Sequence, residues 1–195
     1  MNTYIPNIIQ ETAQGFGSCR VEDQMLANRE VMLCGEVNNE NVTALTNQLM
    51  YLCRQDPGSP VTVYINSPGG SVDEGMTLYD IMQAVAAPIH TVCSGHAYSM
   101  AALLVCAGDH RSMLPHSKVM VHEPFNVNAS GGDLDQFRAR CQDLEQVRRD
   151  YCQIMARHTG RTVDEVSEAM HKTTFYNADE AVDFGFCDEI IRKLP

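Results

Sequence analysis

The order of apolar and polar residues divides the chain into short strand-like and helix-like stretches that alternate from residue 31 to residue 122. "VMLCGEV" at 31–37 has the length and apolarity of a buried strand, and "VTVYIN" at 61–66 sets Val61, Val63 and Ile65 on one face. Between them, residues 41–53 repeat their apolar side chains at helical spacing. A helix over 75–87, stopped by Pro88, precedes the strand candidate "IHTVCSG", the apolar helix 99–107 and the strand candidate "SKVMVH". Strands alternating with helices predict right-handed crossovers and a mainly parallel sheet flanked by helices, an α/β fold.

Beyond residue 132 the pattern changes. Leu134, Phe137, Cys141, Leu144, Val147, Tyr151 and Ile154 recur every three or four residues, with Asp133 able to cap the start and Gly160 the end. A helix over residues 133–158 would run about 39 Å, more than one small domain covers, so its apolar stripe is expected to protrude and meet another subunit. Thr162 with Glu165, and Asn177 with Glu180, are capping-box pairs for two short final helices, and "TTFYN" between them reads as a strand. The loop-like stretches "DPGSP" and "NVNASGG" are too short for linkers, and a 195-residue chain is about the size of one core.

Composition removes several function classes. A formal charge of -11, with only 14 Lys and Arg, leaves no basic face for nucleic acid. The eight cysteines are scattered, mainly in apolar runs, without zinc spacing, and read as small buried hydrophobes in a reducing compartment. No metal and no cofactor is expected. The first residues lack a basic segment followed by a long apolar one, and the longest apolar run, 100–107, is far short of the ~20 residues that span a bilayer. A cytoplasmic protein without a membrane partner is the expectation.

Three segments carry candidate chemistry. In "GHAYSMAALL" a strand ends near Gly95 and a helix begins near Ser99, where backbone N–H groups and the positive helix end can stabilise an oxyanion. A serine there is, on its own, most often a helix cap. "YINSPGGSVDEGM" places a glycine turn between strand and helix, leaving N–H groups open at Gly69 and Gly70, and it matches neither phosphate-binding glycine motif. "SKVMVHEPF" ends a strand on His122, a side chain suited to take a serine proton near neutral pH, although strand-end histidines are more often structural.

Taken together and in this order, the motifs resemble the ClpP family, the proteolytic chamber of ATP-dependent Clp proteases. The resemblance also covers "IPNIIQETAQG", "IMARHTGRT" and "FYNADEAVDFGFCDEI", and so runs nearly the whole chain. It implies the ClpP/crotonase-like fold as one domain over 1–195, a flexible axial segment over about 1–18, and a handle helix over 133–158. That handle joins two stacked heptameric rings, which receive polypeptide from an AAA+ unfoldase. It further implies Ser99 as nucleophile, His122 as general base, and the N–H groups of Gly70 and Met100 as oxyanion hole, hydrolysing peptides through an acyl-enzyme.

The chain departs from the family in two places. Counting from both sides puts Thr173 where the triad aspartate belongs, so the third member would be a neutral hydroxyl that can orient His122 without supplying charge. Glu123 should point to the opposite side of its strand. The docking pocket for the unfoldase, apolar in the family, has Thr62, Ala84 and Ser112 at large-residue positions and keeps Tyr64, which implies weak docking and pairing with a second ClpP-like subunit. Two other readings remain: a catalytically weak or inactive ring subunit that structures a mixed complex, and an acyl-CoA hydratase or isomerase, the latter by fold analogy alone.

Overall fold

The computed structural model describes residues 7–12, 15–125 and 132–194. Strands β1 (Asn7–Thr12) and β2 (Gly15–Arg20) pair antiparallel. Neither is apparent from the order of residues, since "NIIQET" and "GFGSCR" lack the alternation of large apolar and polar side chains that marks a strand. A short helix α1 (Val21–Ala27) leads into the main sheet.

That sheet has seven strands: β3 (Glu30–Cys34), β4 (Val61–Ser67), β5 (Ile89–Tyr98), β6 (His110–Met113), β7 (Lys118–Val121), β8 (Thr174–Tyr176) and β9 (Glu189–Ile190). The order β3-β4-β5-β6-β9 is parallel throughout; β7 pairs parallel with the end of β5, and β8 joins β7 antiparallel. The expected α/β fold with a mostly parallel, helix-flanked sheet is therefore present. Val31, Leu33, Val61, Val63, Ile65, Ile89 and Cys93 face the core and are at most 3% exposed.

Helix α2 (Asn39–Gln55) is capped by the Asn38 side chain and buries Val42, Leu45, Leu49 and Leu52. Helix α3 (Val72–Ala84) starts three residues before the expected Gly75, because the Ser71 hydroxyl accepts from the Glu74 N–H and caps it there. Helix α4 (Met100–Cys106) is buried along its whole length. The expected strand 31–37 is shorter: Gly35 takes a positive φ of 83° after β3, and Val37 makes a single bridge to Gly70.

Helix α5 (Leu134–Thr159) has 26 residues, with the Asp133 side chain as N-cap and Gly160 in the left-handed region after it. Its buried residues, Tyr151, Cys152 and Met155, all lie near its C-terminal end, whereas Leu134 and Phe137 are 63% and 55% exposed. Helices α6 (Val163–His171) and α7 (Ala178–Phe184) carry the capping boxes Thr162/Glu165 and Asn177/Glu180. Among the described residues no helix is long and apolar enough to cross a membrane. Most of "NVNASGG", residues 126–131, lies outside the described residues.

All eight cysteines are free; Cys93, Cys106, Cys152 and Cys187 are buried, but Cys34 and Cys141 are exposed on a strand edge and on α5. Burial pushes the Cys93 thiol up to about 11 and that of Cys106 to about 12, so neither is a nucleophile near neutral pH.

Candidate active site

Ser99 sits on the turn between β5 and α4 with φ 56° and ψ -123°, outside the regions an L-residue normally occupies. Three hydrogen bonds hold it there. Its N–H donates to the Met120 carbonyl at 2.8 Å, while its carbonyl accepts from the Ala102 N–H at 3.0 Å and from the Tyr151 hydroxyl at 2.8 Å. Burial holds the Tyr151 phenol well above its ordinary range, so it is a donor throughout the working pH range.

The strand end that presents Ser99 is bent. The β4–β5 register shifts between Ile65 and Ser67, and the Asn66 side chain accepts from the His96 N–H at 3.1 Å. A Cβ on Gly95 would stand 2.5 Å from that Asn66 oxygen. A larger residue there would push the Asn66 side chain off its bond to His96, and beyond this point the far half of β5 turns to pair with β7.

The glycine turn lies against Ser99. Gly69, at φ 89°, would place a Cβ 2.5 Å from the Tyr98 carbonyl and 2.7 Å from the Ser99 Cβ, and a Cβ on Gly70 would collide with the Val37 backbone. The bridge between Val37 and Gly70 uses the Gly69 carbonyl and the Ser71 N–H, leaving the Gly70 N–H out of it. Met100 is the first residue of α4, so its N–H has no intrahelical acceptor. Both groups are of the kind an oxyanion hole requires.

His122 follows the last residue of β7. Its Nδ1 donates to the Glu123 main-chain carbonyl at 2.6 Å. A carbonyl oxygen can only accept, so Nδ1 carries a proton, and in the neutral ring Nε2 keeps its lone pair. The ring also leans on Phe125, with centroids 5.3 Å apart. Ser99 and His122 line one cavity of about 20 Å³, walled by Met100, Pro124, Val147 and Tyr151. Among the described residues no hydrogen bond joins Ser99 to His122, a looseness common at acyl-transfer sites before substrate tightens them.

Thr173, the residue expected at the position of the triad acid, follows α6 and precedes β8. The β7–β8 pairing of Val121 with Thr174 continues to place Thr173 opposite His122, but at φ 51° its side chain is exposed, and the proton on His122 Nδ1 goes to Glu123 instead. The Glu123 carboxylate is engaged by α5, accepting from Arg148 Nε at 2.7 Å. Of the other acids near the end of the chain, Glu180 caps α7 and Asp179 is exposed beside it.

Three of the positions compared with a docking pocket, Thr62, Tyr64 and Ser112, fall on one sheet face. The pairing sets Glu30, Thr62, His90 and His110 in one row, and Met32, Tyr64, Val92, Ser112 and Glu189 in the next. Tyr64 donates to Glu30 at 3.1 Å, and burial, then Glu30, raises its phenol to about 12. His90 and His110 lie 5.4 Å apart; burial, then the His110 charge, lowers His90. Ala84, at the end of α3, is exposed. The histidine pair was not singled out from sequence, since the two residues are 20 positions apart and meet only through the β5–β6 register. Among the described residues no group of three or more His, Cys, Asp or Glu is placed to hold a metal.

A parallel α/β sheet with a strained serine at a strand-to-helix turn, a glycine turn against it and a strand-end histidine beside it is an arrangement for attack on a carbonyl. The Clp protease family model matches residues 14–194, and the chain belongs to that family. It is a ClpP-like peptidase.

Proposed function

We propose that the chain is a serine-type endopeptidase subunit working through Ser99 and His122. The observation that carries this reading is the Nδ1 bond to Glu123, which leaves Nε2 free to act as base on the wall it shares with Ser99. Nε2 takes the Ser99 proton as Oγ bonds to the scissile carbonyl carbon. The electron pair moves onto the carbonyl oxygen, which the Gly70 and Met100 N–H groups receive. Collapse breaks the C–N bond, Nε2–H passes its proton to the leaving amine, and water then cleaves the acyl-enzyme by the same route.

Leu134 and Phe137, exposed on the N-terminal half of α5, support assembly into stacked heptameric rings that enclose the site. The polar rows around Thr62, His90, His110 and Ser112 support weak docking of an AAA+ unfoldase, and hence a mixed assembly with a second ClpP-like subunit in the cytoplasm. A β-lactone or fluorophosphonate probe should label Ser99, and Ser99→Ala should abolish both labelling and peptide turnover. Labelling that survives that substitution overturns the reading. The exposed, neutral Thr173 at the acid position favours a second reading, a subunit that structures a mixed ring without cutting; unchanged activity of a mixed assembly carrying Ser99→Ala would establish it.

A further inference from the structure

The geometry points to the base of α5 as a brace that positions both members of the dyad, Arg148 through Glu123 and Tyr151 through the Ser99 carbonyl. The proposal rests on the peptidase reading above. The sheet ladder ends at Val121, so no strand partner fixes the Glu123 peptide whose carbonyl orients His122. What fixes Glu123 is its side chain. Arg148 donates from Nε to the Glu123 carboxylate at 2.7 Å and from a terminal nitrogen to the Ser167 hydroxyl at 2.6 Å. His171, at the end of α6, stands 3.9 Å from the other Glu123 carboxylate oxygen. Glu123 is thus held between α5 and α6, and its carbonyl takes the place of a triad carboxylate as acceptor for Nδ1.

Tyr151 is three residues after Arg148, on the same side of α5. Its hydroxyl holds the carbonyl of a residue in a strained conformation. A neutral carbonyl supplies orientation and the tautomer, though less charge than a carboxylate would. That explains how a chain with Thr173 at the acid position keeps His122 usable. Arg148 and Tyr151 are positioning residues, acting through Glu123 and through the Ser99 carbonyl.

The test uses full-length protein labelled with ¹⁵N-histidine, with His122→Gln to assign the resonances. The native chain should show His122 as one tautomer, protonated at Nδ1. In Arg148→Ala a second tautomer should appear, and acylation of Ser99 by a fluorophosphonate should slow about tenfold, as misplacement of a base by a fraction of an ångström predicts. Arg148→Lys and Glu123→Gln should recover part of the rate, because each keeps one hydrogen bond of the clamp. Tyr151→Phe should slow acylation about threefold, roughly one lost hydrogen bond, without changing the tautomer. A single tautomer in Arg148→Ala, or a mixed one with a rate within about twofold of native, overturns the proposal. Failure of the native chain to label at all would sink the peptidase reading separately, and the spectra would still decide the bracing of His122.

Discussion

Replacing Ser99 by glycine should make the protein more stable than replacing it by alanine, while both changes abolish labelling. At φ 56° and ψ -123° any residue with a Cβ is strained, at a cost of roughly 1–3 kcal/mol. Alanine keeps the Cβ and so keeps the strain; glycine removes it but loses roughly 0.5–1 kcal/mol through the greater freedom of its unfolded chain. The difference should favour glycine by about 1 kcal/mol, or about 2–4 °C in Tm for a chain of this length. Denaturant titrations of both variants at one fixed protein concentration measure it, since association would otherwise add to the apparent stability. A glycine variant no more stable than the alanine one would refute the idea that the turn is strained to present the nucleophile.

Gly69→Ala should cost about 3 kcal/mol or more and abolish labelling, because the new methyl meets the Tyr98 carbonyl and the Ser99 Cβ at a positive φ; wild-type reactivity in that variant would contradict the geometry. Thr173→Asp should raise kcat on a peptide about tenfold, since aspartate tolerates the left-handed backbone and offers a charged acceptor opposite His122; no gain would mean the Glu123 carbonyl cannot be displaced. For Asp188, burial acts against ionisation, but hydrogen bonds and charge from Arg111 outweigh it and hold the carboxyl below its ordinary value. A lowered folded value gives stability that is present above about pH 4 and lost as pH falls through it, so Asp188→Asn should flatten that acid transition. A transition of unchanged steepness in that variant would assign the acid sensitivity to other groups.

Much of the framework was legible because apolar spacing and capping residues are local signals. Asp133, Thr162 and Asn177 each cap the helix expected after them, and the α5 stripe appears where its period places it, whereas the caps Asn38 and Ser71 start α2 and α3 ahead of the expected 41 and 75. The strands β6 and β9, four and two residues long, are too short to show a period. Within the site, Ser99, His122 and the glycine turn could be read from side-chain types at strand ends. The acceptor for His122 could not, because a main-chain carbonyl leaves no mark on the sequence. Tyr151 was visible only as a member of the helix stripe and Arg148 not at all, since their partners lie 52 and 25 residues away.

Under the proposed ring assembly, the exposed half of α5 would tie folding to the amount of protein present. Its C-terminal turns rest on the chain's own core through Tyr151, Cys152 and Met155, whereas Leu134 and Phe137 are largely exposed. A helix segment of this kind gains little by forming alone, and gains most when a second apolar surface closes over it. Dilution should therefore melt the tip before the base, with the loss travelling along the helix towards Arg148 and Tyr151. Hydrolytic competence would then follow the law of mass action, and a sparse population of chains would fall silent before any of them unfolds.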